Sequence, residues 1–394
     1  MFLQNKIKGL RETISKNIFY LYLNRLLVQS AFGFISGFGI IFFYQKFGNS
    51  IEKVLILYFF LYLAFAIFNH VSAKMIKHFG MRRIMTFSLF GLAVMFLSRT
   101  FWDFAPHLSL LLFFISLTIY KTFYWIPYHV EFASFTDKKN RGKQTAFLYN
   151  VGDIFAAVIP FIAGILLSQY GFNILFYIGF VFVILSIIPL YRVQEVKEEY
   201  TWSAMKLIKE IFDRDNRPIV ISSVGNGMQA IVGAIIWPLF IFIAINGDFV
   251  VFGSILALVA IGLIVLRYFI GRYLDRFGRE RVMRAGNFIY FTGWILKTLV
   301  AGVTGIFLVD IYHRFGFVIN KTSFDVTTYD QAADNGHFID EYTVLREVSF
   351  LIGGMVMALI LLPAVALFSI KVAFILGAIA TLLMTTIHKQ MKVE

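Results

Sequence analysis

The 394-residue sequence contains no cysteine, so neither a disulfide nor a thiolate-bound metal can form. Charge is scarce as well: Asp, Glu, Lys and Arg make up 15% of the chain, against about 25% in soluble globular domains. No Gly-x-x-x-x-Gly-Lys-(Ser/Thr) loop occurs to cradle nucleotide phosphates, and no His-Glu-x-x-His pair occurs to hold a catalytic zinc. A removable signal peptide is not expected, because residues 1–16, basic through Lys6, Lys8, Arg11 and Lys16, have no small-residue cleavage site before the next apolar run. On these absences the chain is expected to be no enzyme and to carry no cofactor.

What fills the sequence is apolar: 59% of residues are hydrophobic and the mean hydropathy is +0.76. Barrel strands would alternate over roughly ten residues, whereas these runs are long and continuous, so the expected structure is an all-α membrane protein. At roughly 20 apolar residues per span, passages fall near 18–44, 53–72, 83–100, 108–134, 144–168, 172–193, 218–246, 249–270, 282–302, 304–329, 342–367 and 371–388. The net charge of +13 would suggest nucleic acid in a soluble protein. Here the cations sit in short loops, where they orient the protein in the bilayer, and nucleic-acid binding is not expected. Lys74, Lys77, Arg82 and Arg83, then Lys138, Lys139, Arg141 and Lys143, then the cluster from Arg272 to Arg284 all fall on one side. That side is read as cytoplasmic, with both termini inside and the protein in the plasma (inner) membrane.

Two loops repeat. Ala73-Lys74-Met75-Ile76-Lys77-His78-Phe79-Gly80-Met81-Arg82-Arg83 and Gly271-Arg272-Tyr273-Leu274-Asp275-Arg276-Phe277-Gly278-Arg279-Glu280-Arg281 each separate two apolar runs, and Gly80 and Gly278 stand about half a chain length apart. A repeat at that spacing implies two similar halves, read as residues 1–193 and 218–394 joined by a linker at 194–217. The second copy resembles the major facilitator superfamily signature Gly-x-x-x-Asp-Arg-x-Gly-Arg-Arg at Gly271, Asp275, Arg276, Gly278 and Arg279, departing at Glu280. The first keeps only Gly80 and Arg82. This resemblance implies the major facilitator fold, about twelve transmembrane helices in two pseudo-symmetric six-helix halves. It also implies a central path lined by spans 1, 4, 7 and 10.

Ionisable residues within spans face the bundle interior or water, since a charge at a helix centre costs roughly 2.5–3.5 kcal/mol on insertion scales. They concentrate on those four spans. The first holds Asn24, Arg25 and Gln29; the fourth holds Lys121, Trp125 and Tyr128 at steps of four and three, then His129 and Glu131. The seventh holds Asn226, Gln229 and Trp237. In the tenth, Asp310, Arg314, Lys321 and Asp325 share one helical face with His313 beside them, and Asp310–Arg314 and Lys321–Asp325 are i,i+4 pairs able to neutralise each other. Arg25 and Lys121 have no oppositely charged residue within a turn of their own helices, and Asp153 or Glu131 could pair with them across spans. The expected substrate contacts are therefore Asn24, Arg25, Gln29, Lys121, Trp125, Tyr128, Asn226, Gln229, His313, Arg314 and Lys321. The carboxylates Glu131, Asp153, Asp310 and Asp325 are the candidate proton carriers.

These residues fit a secondary transporter moving a small organic anion or zwitterion by alternating access with proton coupling. The rival class is a membrane sensor or assembly protein that keeps the fold without transporting. Its expected partners are the lipid bilayer, the small-molecule substrate and protons, with the chain acting as a monomer. A gate is expected where the degenerate loop copy puts Lys77 in the place of the family's Asp, to meet Asp340 or Glu341 at the start of the eleventh span. The second copy, with Asp275, Arg276 and Gly278, keeps the ordinary arrangement. In the linker, Trp202, Met205, Ile208 and Phe212 recur at helical spacing, as an amphipathic surface helix would have them; a solvated charged linker is the alternative.

Overall fold

A computed structural model describes residues 16–135, 141–195, 202–277, 279–334 and 339–386, and the side chains among them except 70, 73, 77, 126, 129–135, 141–151, 153–154, 267–277, 279–283, 321–334 and 339–340. Among the described residues every regular element is helical. In chain order these are α1 (Lys16–Phe34), α2 (Phe38–Lys46), α3 (Ile51–Phe79), α4 (Met81–Ser98), α5 (Pro106–Phe135), α6 (Arg141–Tyr170), α7 (Phe172–Leu190), α8 (Ala204–Phe212), α9 (Arg217–Ile231), α10 (Trp237–Ala244), α11 (Phe249–Phe277), α12 (Arg279–Leu299), α13 (Gly302–Asp334), α14 (Ile339–Leu367) and α15 (Val372–Met384). Eight passages are each long and apolar enough to cross a membrane, and the broken pair α1 and α2 makes a ninth. The shorter apolar stretches Phe155–Tyr170 in α6 and Val372–Met384 in α15, together with α12, complete the twelve expected positions.

Apolar composition drives the helices, and the choice of which apolar side chains are buried shows where protein and lipid lie. Along α7, Leu175, Phe176, Val183 and Ile187 are buried while Tyr177, Val181 and Ile188 are exposed. Leaving such side chains in water costs about 1.5–3 kcal/mol apiece; in a bilayer, acyl chains cover them. The chain packs as two units. One comprises the segments up to Ser36 and from Val71 to Tyr200, the other Gly37–His70 with Thr201 onward. The grouping by packing thus differs from a division along the sequence, because the segment from α2 into α3 joins the later helices. Phe38 on α2 lies against Phe252 of α11, with ring centroids 5.1 Å apart.

Two expected continuous spans are interrupted, each for a local reason. The first breaks at Gly37, whose φ of 75° lies in the left-handed region that glycine enters without a Cβ penalty. A Cβ there would also press on the Phe252 ring, 2.7 Å away. The seventh carries a π-helical turn, Val232–Ile236, between α9 and α10. Pro238 follows it; a proline has no N–H and its ring crowds the carbonyl four residues back, and the wider turn accommodates both.

Candidate functional site

In the first unit α5 presents its polar residues on successive turns. Tyr120, Tyr124 and Tyr128 stack with centroids 5.1 and 5.8 Å apart, as i,i+4 spacing on a helix allows. Asn24 on α1 is fully buried against this stack: its carboxamide oxygen accepts from the Tyr124 hydroxyl at 2.7 Å, and its amide nitrogen donates to the Ser186 carbonyl of α7 at 2.8 Å. Asn24 therefore ties α1, α5 and α7 together. Its neighbour Arg25 lies over the Trp125 ring, the guanidinium carbon 4.5 Å from the centroid and 5.5 Å from that of Tyr128. Lys121 reaches the same indole, its Nζ 4.9 Å from the centroid. One tryptophan thus holds two cations through its negative face. Gln29 is turned towards α6, where a Cβ on Gly152 would lie 3.1 Å from its Oε1.

In the second unit the tenth-span residues converge with a lysine of the preceding helix. Asp310 of α13 accepts from Arg314 Nε at 2.9 Å through one oxygen and from Lys297 Nζ of α12 at 3.2 Å through the other. Lys297 and Asp310 are each only 1% exposed, whereas the Arg314 side chain is 41% exposed. The Lys297 ammonium also sits over two indoles, 3.9 Å from the Trp237 centroid and 4.7 Å from that of Trp294. Tyr290, Trp294 and Lys297 follow steps of four and three and so share one face of α12. The expected Asp310–Arg314 pair is present, and Lys297 extends it to a triad of two cations on one carboxylate.

Around the triad lie the polar residues of the broken seventh span. Gln229 is buried; its amide nitrogen donates to Asn226 at 2.9 Å, and its oxygen accepts from the Tyr290 hydroxyl. The His313 imidazole is buried between Tyr290 and Trp294, with centroids 4.8 and 4.3 Å away. Neither of its nitrogens has a hydrogen-bond partner among the described residues. Gly293 makes that closeness possible, since a Cβ on it would come within 2.8 Å of the His313 backbone.

Residues 21–214 match the model of the Major Facilitator Superfamily. That stretch, just under half of the chain, resembles the superfamily. No curated protein matches its sequence at the same standard. Among solved structures, a POT family transporter in complex with 5-aminolevulinic acid is similar at a TM-score of 0.69 and 11% identity, covering 96% of this chain and 98% of its own. A D-xylose-proton symporter is similar at a TM-score of 0.71 and 14% identity, covering 94% and 96%. At such identities the likeness shows the fold, two six-helix halves of a major facilitator. The apolar helices and the fold together make the chain a multi-pass membrane protein.

The superfamily's loop motif is visible in its first copy. Gly80, with φ of 80°, caps α4, and Arg82 there donates its backbone N–H to Glu195 Oε1 at 3.0 Å while its Nε lies 3.2 Å from Oε2. A carboxylate at a helix N-terminus is favoured by about 0.3–1 kcal/mol, and a Cβ on Gly80 would collide with it. Glu341, the described member of the proposed gate, is buried in the first turn of α14. The side chains of Glu131, Asp153, Lys321, Asp325, Lys77, Asp275, Arg276 and Asp340, and Gly278 itself, lie outside the described residues. Sequence reasoning missed Lys297. The signal that would have found it is the spacing Tyr290, Trp294, Lys297, the same steps as Lys121, Trp125, Tyr128.

Proposed function

We propose that the chain moves a small organic solute bearing a negative group, an anion or a zwitterion, by alternating access with proton coupling. The observation that carries this is the state of Arg314. It binds Asp310 through Nε alone, and its terminal nitrogens, in a half-exposed side chain, have no partner among the described residues. With Lys297 on the other carboxylate oxygen, the triad has two positive charges to one negative. A ligand carboxylate or phosphate would supply the missing charge and match the guanidinium fork. Arg25 and Lys121 on Trp125 offer cations of the same sign, which supports the reading.

Coupling follows from the same electrostatics. Removing the charge of Asp310 leaves two cations uncompensated in an apolar surround, and breaking a buried pair in this way costs about 3–5 kcal/mol. An anion bound at Arg314 lowers that cost, so proton and anion binding favour each other, as linkage requires. Glu131, Asp153 and Asp325 are proposed as further carriers. The D-xylose-proton symporter of the same fold supports proton use. The proposed frame remains the halves 1–193 and 218–394 with the linker 194–217, a monomer in the plasma (inner) membrane with both termini cytoplasmic, and a gate of Lys77 with Asp340 or Glu341. The test is uptake by proteoliposomes under an imposed pH gradient, using anionic, zwitterionic and cationic solutes that also raise the thermal stability of the purified protein. Uptake confined to cations would overturn the charge assignment.

A further inference from the structure

Helix α8 presents two apolar faces and only one of them is covered by protein. Trp202, just ahead of the helix, and Leu207 are buried, with Trp202 edge-on to Tyr342 of α14 at 5.8 Å. The helix is held at both ends. Ser203 Oγ accepts from the Lys206 N–H at 3.1 Å, and the Asn216 amide donates to the Glu210 carbonyl at 3.1 Å and to its carboxylate at 2.8 Å. On the other face Met205, Ile208 and Phe212 are 64%, 50% and 77% exposed. At about 100° per residue these three lie within an arc of about 60°, with exposed Lys206 and Lys209 on its polar flank.

Two anchors fix the depth of this face. Tyr342 stands in the first turn of the span Glu341–Leu367, and only residues 213–216 separate Phe212 from Arg217, where the next span begins. A chain reaches at most about 3.6 Å per residue, so α8 is held at the level where these spans meet the aqueous phase. Exposed Arg214 and Arg217 add positive charge there, partly offset by exposed Asp213 and Asp215.

We propose that α8 is an interfacial helix that buries Met205, Ile208 and Phe212 at the boundary between acyl chains and headgroups of the bilayer its own spans cross. Lys209 and Arg214 reach anionic headgroups from its polar side. An apolar face at that depth is covered by lipid without any further protein, and the cationic flank matches an anionic surface.

The absence of cysteine makes the test direct. Single Cys substitutions at Met205, Ile208, Phe212 and Lys206 of the full-length chain are spin-labelled and reconstituted in phosphatidylcholine vesicles with and without phosphatidylglycerol. The ratio of relaxation by dissolved oxygen to relaxation by a water-soluble nickel complex should be several-fold higher at 205, 208 and 212 than at 206. It should rise further when the anionic lipid is present. Adding Ile208→Glu should lower the ratio at 205 and 212 towards that at 206, while the thermal stability of the protein, to which the docked face contributes, stays unchanged. Equal access of nickel to all four labels would overturn the proposal, and so would spin–spin broadening at 208, which would show that a second copy of the chain covers the face.

Discussion

Lys121, Trp125 and Tyr128 on α5 and Tyr290, Trp294 and Lys297 on α12 use the same steps with the residue types in opposite order, yet the two clusters treat charge differently. On α5 the indole carries Arg25 and Lys121 on its face, and no carboxylate is paired with Arg25 among the described residues. On α12 the lysine between indoles is tied to Asp310, which also holds Arg314. A ring quadrupole positions a cation for about 0.5–2 kcal/mol but cancels none of its charge. A carboxylate does cancel it, and makes the arrangement depend on every member. The first cluster is therefore expected to keep its fold through single changes, and the second to lose stability as a unit.

The largest break in that comparison is Asp310→Asn, which strips the counter-charge from two cations at once. It should destabilise the protein by about 3–5 kcal/mol, read as loss of thermal stability in detergent. Adding Lys297→Met should recover much of it, by removing the orphaned ammonium while keeping the stem's contact with the indoles. If the double variant is no more stable than the single one, the triad is not the unit described here.

Arg314→Lys should preserve the fold but weaken substrate binding by about 10-fold or more, since an ammonium cannot reproduce a bidentate fork. Equal affinity of both proteins in a thermal-shift titration would assign the anion contact elsewhere. Lys121→Ala is expected to abolish substrate binding or transport, with the protein still inserted and folded. Trp125→Leu, which removes the ring under both cations, should weaken binding about 2- to 30-fold on the cation–π scale. Wild-type flux through Lys121→Ala would separate the α5 cluster from the substrate site.

The smallest effect belongs to the proposed gate. An exposed ion pair contributes about 0–1 kcal/mol, so Lys77→Asp should shift the balance of inward-open and closed forms a few-fold. Asp340→Lys with Glu341→Lys should restore it. Spin-label distances across the loops of the two halves check this, and unchanged distributions in both variants would remove the gate.

Much of this was legible in the sequence, because a bilayer makes composition almost sufficient: among the described residues eight apolar passages and a broken ninth appear where roughly twenty-residue runs lie. The Asp310–Arg314 contact was legible too, as both residues sit on one helix and 3.6-residue periodicity brings them together. Lys297 was not. Its partners Asp310 and Trp237 belong to other helices, and no single-helix pattern says which faces meet. Asn24 illustrates the reverse: a polar residue in a span reads as a ligand contact, whereas here it bonds α5 and α7. The break at Gly37 was hidden inside an apolar run, since hydropathy carries no record of a left-handed φ.

The wide turn at Val232–Ile236 works like a vernier. Its extra residue sets everything after it back by about 100° relative to an unbroken helix of the same length, so Gln229 can bond Tyr290 while Trp237, two turns on, still faces Lys297. Rewinding that turn as an ordinary helix of the same length would leave the span's composition and hydropathy untouched, yet point Trp237 away from the ammonium it now covers. In this protein a frame of side-chain directions is stored in the winding of one turn, where a comparison based on composition alone would not see it change.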